Sequence, residues 1–379
     1  MTAAIEIRPV EDKRELTRFI RVPYPIYKDD PHYVVPLEYE RRELLSEKKN
    51  PYFKHAEAQY WTAYRNGEAV GRISAQIDDL VQSHVRKGLG HFGMFECVDD
   101  PEVAGHLFET AEAWLAERGM TAVHGPFNVS VNGECGLLIG GFDMPPRLMM
   151  GHARPYYQGL VEGAGYEKAK DLFAYTLTVE AEFPPVPRRI IKACRRNRRV
   201  NYRMIDMKNY EAEIQTAISI FNDAWQDNWG FVPFTEDEAY HLAKNLKPFV
   251  RKEAFHFCDY DGEPAAMMIT LPNINDYIRD LNGKLWPFGW MKLAYRMLTI
   301  ATTDVRVPLM GIRKEHQTSM PGAQMAFRLF EETRILQHQY GVRTGELSWV
   351  LEDNPLRHML DSINCTINKT YRIFGKELD

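Results

Sequence analysis

The stretch GELSWVLEDN (345–354) alternates: Leu347, Trp349 and Leu351 fall on one face of a strand, Glu346, Ser348 and Glu352 on the other. A carboxylate carried into a sheet is costly unless it is solvated, paired or used. Glu346 and Glu352 are therefore candidate general bases, with Glu352 also readable as a solvated strand end. His316 is a further candidate base or a turn cap, and Tyr371 in NKTYRIF is a candidate acid or a packed ring. Such groups would take a proton from an attacking nucleophile and return one to a leaving group.

A second kind of chemistry is suggested by GIRKEHQTSMPGAQMAF (311–327), which reads as strand end, turn and helix start. A helix N-terminus offers unpaired N–H groups and partial positive charge to an anion. Gly322 is the one well-placed glycine, Pro321 suits a first helical turn, and Arg313 and Lys314 are nearby cations. The competing reading is a helix start capped by Ser and Thr that serves structure alone.

These residues need a scaffold. A chain of 379 residues favours two domains, and 45% hydrophobic with 26% charged residues is ordinary for a soluble globular protein. No apolar run suits a spanning helix and the N-terminal stretch lacks the apolar core of a secretion signal. The 5 cysteines are scattered without metal-ligand spacing, so the expectation is a reducing, cytoplasmic setting with no metal site and no disulfide framework. A net charge of −5 argues against general nucleic-acid binding. Cations are concentrated in RRIIKACRRNRRVNYR (188–203), directly after the stiff EFPPVP. That segment reads as a solvated basic linker helix at a domain boundary, or as a patch facing phosphates of a ligand or an anionic membrane surface.

Two halves carry their elements in the same order, as expected of a mixed α/β protein. The first, 1–182, reads strand, helices, a hairpin turning at Asn66-Gly67, strand, a helix from Pro101 to Gly119, strand, helix, strand. After a linker at 183–200, the second (201–379) repeats this, with a Thr235-x-x-Glu238 capping box and a hairpin at Asp261-Gly262. The loop GPFNVSVNGECGLLIGGF (125–142) presents Asn132 and Glu134, suited either to an acceptor's polar head or to packing. The insertion 275–300 mixes Trp286, Phe288, Trp290 and Tyr295 with Lys284, Lys292 and Arg296. It suits a lid, a helix in a membrane interface, or a buried interdomain helix.

This element order resembles two tandem acyl-CoA N-acyltransferase (GNAT) domains. The resemblance implies acyl-CoA as co-substrate, bound at a Gln/Arg-x-x-Gly-x-Gly/Ala turn. Here that register gives Gln317, Thr318, Met320 in place of the first glycine, Gly322 and then Ala323. It further implies carbonyl-polarising N–H groups near Met310, Gly311 and Ile312, with Arg313 beside them, and a substrate side lined by Trp225, Trp229, Phe231 and Phe234. The equivalent junction of the first half, VDDPEVAGHL, carries Asp99 and Asp100, which would repel a pyrophosphate, so that half is expected to be degenerate for CoA. Segments such as NPYFKHAEAQYW, NWGFVPFTEDE and LEDNPLRHMLDSIN resemble a bacterial GNAT-type group that includes ceramide synthases. This implies a long-chain acyl donor and a lipid amine acceptor, and it fits a reading of the basic segment and the aromatic insertion as peripheral contacts with the inner membrane. Acetyl transfer to a small polar amine, a non-catalytic acyl-CoA or lipid sensor, and nucleotide hydrolysis are the competing readings.

Overall fold

The computed structural model describes residues 4–247 and 252–378, so the end of TEDEAYHLAKNLKPFV (248–250) lies outside the described residues. Two compact units emerge. The first comprises 1–172, 278–290 and 369–379, and the second 173–277 and 291–368. They are not consecutive halves, so the sequence-based boundaries at 182 and 200 differ from the division observed.

The first unit begins with β1 (Ile5–Pro9), α1 (Lys13–Arg21), α2 (Pro23–Ile26) and α3 (Glu38–Leu44). Then come β2 (Ala56–Arg65), β3 (Glu68–Asp78), α4 (Asp79–His84), β4 (Leu89–Cys97) and α5 (Pro101–Ala116). The β2–β3 turn has Asn66 at φ 53° and Gly67 at φ 80°, the left-handed pair that an Asn-Gly hairpin needs. Asp100 caps α5 by accepting from the Glu102 and Val103 N–H groups. The loop expected at 125–142 is instead partly ordered. After β5 (Ala122–Gly125) it forms β6 (Phe127–Asn128), β7 (Glu134–Cys135) and β8 (Leu137–Gly140), then α6 (Tyr157–Gly163) and β9 (Glu167–Thr178). The strands run in the order β1-β2-β3-β4-β5, antiparallel except for the parallel β4–β5 pair.

The second unit takes residues of β9 from Phe173 onward. It continues with α7 (Pro185–Arg196), β10 (Val200–Met204), α8 (Tyr210–Trp225), α9 (Glu236–Leu246), β11 (Phe255–Tyr260) and β12 (Glu263–Pro272). The insertion gives α10 (Asn275–Ile278) and α11 (Gly289–Thr299). Next come β13 (Asp304–Ile312), α12 (Lys314–Gln317), α13 (Met320–Gln339), β14 (Thr344–Leu351), α14 (Leu356–Ser362) and β15 (Thr366–Glu377). Its strand order is β9-β14-β13-β12-β11-β10. The end of β15 completes the first unit instead, pairing with β5 through Phe374 opposite Gly125.

The arginine-rich segment forms the expected helix over its first part, and that helix is packed. Pro187, Ile191 and Cys194 give α7 a buried stripe, and Ile191 and Cys194 share one core with Met325, Leu329 and Phe330 of α13. Burial of each large apolar side chain is worth about 1.5–3 kcal/mol, enough to fix a helix that also carries Arg188, Arg189, Lys192, Arg195 and Arg196. Much of its charge is matched internally. Arg188 pairs with Glu182, Arg195 with Glu332, Arg199 with Asp261, and Arg203 with Glu213 and Asp259.

Candidate active site

In the second unit β13 and β14 run parallel only from Asp304 opposite Thr344 to Val307 opposite Leu347. Beyond Val307, β13 keeps to β12 as far as Ile312 opposite Ala266, so its other edge parts from β14. At this parting Arg306 stands opposite Glu346. Arg306, Glu346 and Ser348 are all buried. The Arg306 guanidinium donates to Ser348 Oγ at 3.0 Å and to the Ser348 carbonyl at 3.1 Å. Asn368 Nδ2 donates to one Glu346 oxygen at 2.9 Å, and Ser348 Oγ lies 3.4 Å from the other. Glu346 is therefore held at both oxygens. Two polar atoms of this cluster, Asn368 Oδ1 and Trp349 Nε1, are buried without a partner among the described residues.

The alternation expected along β14 fails after Ser348. Val350, three residues after Leu347, joins it in the core, while the Trp349 ring sits over the Arg306 guanidinium at 4.6 Å. Trp349 thus belongs with the charged cluster, contrary to its assignment to the apolar face. Arg306, Ser348 and Asn368 were not among the sequence candidates. An arginine inside VRVPLMGI was a visible anomaly, but its pairing with Glu346 depends on register between strands far apart in sequence.

The start of α13 departs from an open anion cradle. Ser319 Oγ accepts the Gly322 N–H at 3.1 Å and donates to the His316 carbonyl at 2.7 Å. The Ala323 N–H goes to the Ser319 carbonyl, and Pro321 has none to offer. Gly322 is required because a Cβ there would lie 1.9 Å from the His316 carbonyl oxygen. The Gln317 amide donates to the Ala224 and Ile312 carbonyls, so it braces the turn against α8. Arg313 donates to the Pro264 carbonyl and Ser219, and Lys314 pairs with Asp227. Thr318 and Met320 are exposed, and the Met320 N–H has no partner among the described residues.

Beside the parted edge, Trp225 Nε1 donates to the Met310 carbonyl at 3.0 Å. A Cβ on Gly311 would meet Ala224 and Ile220, so the glycine lets α8 approach β13. Phe221 collects the rings of Trp225, Phe231 and Phe234 around it at 4.9–5.8 Å. Phe221 itself, fully buried, was not among the sequence candidates. Trp229 is half-buried in the same turn.

Other candidates fall elsewhere. His316 lies on α12 with its ring 4.9 Å from Tyr260, in the structural turn. Glu352 follows the end of β14, where its carbonyl accepts from Arg357. Tyr371 belongs to the first unit, fully buried, with its hydroxyl donating to the Gly151 carbonyl at 3.3 Å. That is a packed tyrosine.

In the first unit the gap past the β4–β5 pairing is filled. A Cβ on Gly93 would lie 1.8 Å from the Phe127 carbonyl oxygen, and Asn128 Oδ1 accepts the Met94 N–H at 2.8 Å. Glu134 pairs with Arg41 and accepts from Asn128 at 2.9 Å. Burial opposes its charge, yet the Arg41 guanidinium and these hydrogen bonds hold it below the usual carboxylate range. Asn132 lies in the preceding turn, its N–H donating to Ser130. Nearby Glu96 accepts from the Tyr157 hydroxyl at 2.8 Å, and burial lifts it above that range against the pull of Arg72.

A parallel strand pair that parts at a helix start is the signature of the GNAT fold, in one unit open and in the other filled. A solved tandem GNAT protein from the clavulanic acid biosynthesis pathway superposes with a TM-score of 0.57 at 12% identity, covering 99% of each chain. No family model matches the sequence. The chain is 44% identical over 378 residues to the bacterial ceramide synthase of Caulobacter vibrioides (strain NA1000 / CB15N), covering 99% of this chain and 98% of that one. It is 41% identical over 374 residues to Protein YghO of Escherichia coli (strain K12), covering 98% and 95%. The protein belongs to the family of these two relatives and is by class an N-acyltransferase.

Proposed function

We propose that the protein moves a long-chain acyl group from acyl-CoA to the amine of a sphingoid-type lipid, forming a ceramide. Full-length identity of 44% to a protein named bacterial ceramide synthase carries this reading. In it Glu346 is the general base. As the amine nitrogen bonds to the thioester carbonyl carbon, Glu346 takes the amine proton, the C–S bond breaks, and the departing thiolate takes up a proton. Arg306 and Ser348 position the Glu346 carboxylate. Asn368 Oδ1, an acceptor without a partner among the described residues, lies beside it and is matched to an ammonium or hydroxyl of an amino-alcohol head.

The parted edge at Met310–Ile312 would polarise the carbonyl, and the start of α13 would receive the phosphates through Met320 and a rearranged Ser319 cap. The aromatic set around Phe221 favours an apolar chain over a small polar amine. Among the described residues no helix is long and apolar enough to cross a membrane, so a lipid acceptor would be met by peripheral contact with the inner membrane from the cytoplasmic side. The closed capping at Ser319 favours one rival, a sensor that binds lipid without transferring acyl groups. Thiol release from palmitoyl-CoA and acetyl-CoA, each offered with dihydrosphingosine or a small polyamine, separates these readings. Release confined to palmitoyl-CoA with dihydrosphingosine is expected. Release only with acetyl-CoA and the polyamine would overturn the proposal.

A further inference from the structure

The segment around α11 is an anomaly for a protein surface. Within 286–300, Trp286, Phe288, Tyr295 and Leu298 are 81%, 73%, 65% and 81% exposed, and Trp290, Met291 and Ile300 are also open. None of the residues of α11 is buried. Leu293, Arg296 and Met297 are half-buried, and Arg296 donates to the Tyr277 carbonyl at 2.6 Å, which ties the helix down on that side. Met291, Tyr295 and Leu298 follow at helical spacing on the outward side. A helix that is apolar outward as well as inward pays a hydration penalty unless something covers it.

The charge pattern says what covers it. Between 284 and 300 the only ionisable charges are Lys284, Lys292 and Arg296, with no acidic side chain, in a chain whose net charge is −5. Trp, Tyr and Phe rings flanked by Lys and Arg suit the headgroup region of a bilayer, where an apolar body and a polar edge are both satisfied. Lys284 and Lys292 are exposed, and their charge, with no carboxylate in the segment, complements anionic lipid headgroups. We propose that the outward face of α11 docks the protein on anionic membrane, lying in the interface plane. This rests on the reading of the acceptor as a lipid that must be collected from a membrane.

The test is co-sedimentation with vesicles of phosphatidylglycerol and phosphatidylcholine, against vesicles of phosphatidylcholine alone. The wild type is expected to partition onto the anionic vesicles, more weakly at high salt, and poorly onto neutral ones. The variant Met291→Ser/Tyr295→Ser/Leu298→Ser, checked for native circular dichroism, is expected to lose at least tenfold in partitioning. It should retain turnover on acceptor presented in detergent micelles. Equal binding by the variant, or no vesicle binding by the wild type, would overturn the assignment. So would a wild-type dimer that the variant dissociates without any vesicle binding, since the face would then be covered by a second copy. Vesicle binding with no turnover on sphingoid amines would leave the docking face standing and remove only the acceptor reading.

Discussion

Arg306 and Glu346 face each other across the last few residues over which β13 and β14 run side by side, and both are buried. Their opposition explains how a carboxylate sits in the middle of a sheet, and it makes two separable expectations. Glu346→Gln keeps the shape and the Asn368 contact, so the protein should fold normally with turnover lower by on the order of 10²–10⁴. Arg306→Met leaves a buried carboxylate without the guanidinium opposite it, and should cost about 3–5 kcal/mol in urea unfolding. Full turnover in Glu346→Gln would move the base elsewhere.

Asn368 should act on the acceptor and not on the donor. Asn368→Ala removes the Oδ1 that has no partner among the described residues, as well as a hydrogen bond to Glu346. The expected result is a raised KM for the sphingoid amine, about tenfold for a lost hydrogen bond of roughly 1.4 kcal/mol, with the KM for acyl-CoA unchanged. Steady-state kinetics with each substrate varied in turn reads the difference.

The turn before α13 should be far more sensitive at Gly322 than at Gln317. Gly322→Ala drives a methyl into the His316 carbonyl and should destabilise by about 1–3 kcal/mol. Gln317→Ala loses only exposed hydrogen bonds to two carbonyls and should stay within about 1 kcal/mol. Thermal melts of the two variants give the comparison.

His256 supplies a pH dependence. Its Nε2 donates to the Glu253 carbonyl and its Nδ1 accepts from the Tyr202 hydroxyl, which fixes the neutral ring. Burial depresses it from 6.5 to about 4. The unfolded chain therefore takes up this proton first, so the stabilisation is complete above pH 6.5 and is lost as pH falls towards 4. The loss amounts to roughly 3 kcal/mol at 1.36 kcal/mol per unit. Urea midpoints at pH 7.0 and 4.5 should diverge more for the wild type than for His256→Gln.

Most elements were legible because their signals are local. Asn66-Gly67, Asp261-Gly262, the Asp100 cap and the Thr235/Glu238 capping box each name a turn or a helix start without reference to the rest of the chain. The helix α7 was legible as a basic helix, but its packing was not, because its buried stripe of Pro187, Ile191 and Cys194 is narrow and surrounded by arginines. Glu346 was legible as a charge in an apolar run. Its partners Arg306 and Asn368 were not, since strand register and the course of β15 are set by long-range pairing. Gln317 fits the expected cofactor turn by residue type, but a pattern carries no direction, and its side chain is turned towards the Ala224 and Ile312 carbonyls.

The most direct test of the account is mass-spectrometric detection of product from purified protein given palmitoyl-CoA and dihydrosphingosine. The expected result is N-palmitoyl dihydrosphingosine with equimolar free thiol, and near-complete loss of both in Glu346→Gln. Thiol release without the amide, or amide formed equally well by Glu346→Gln, would contradict it.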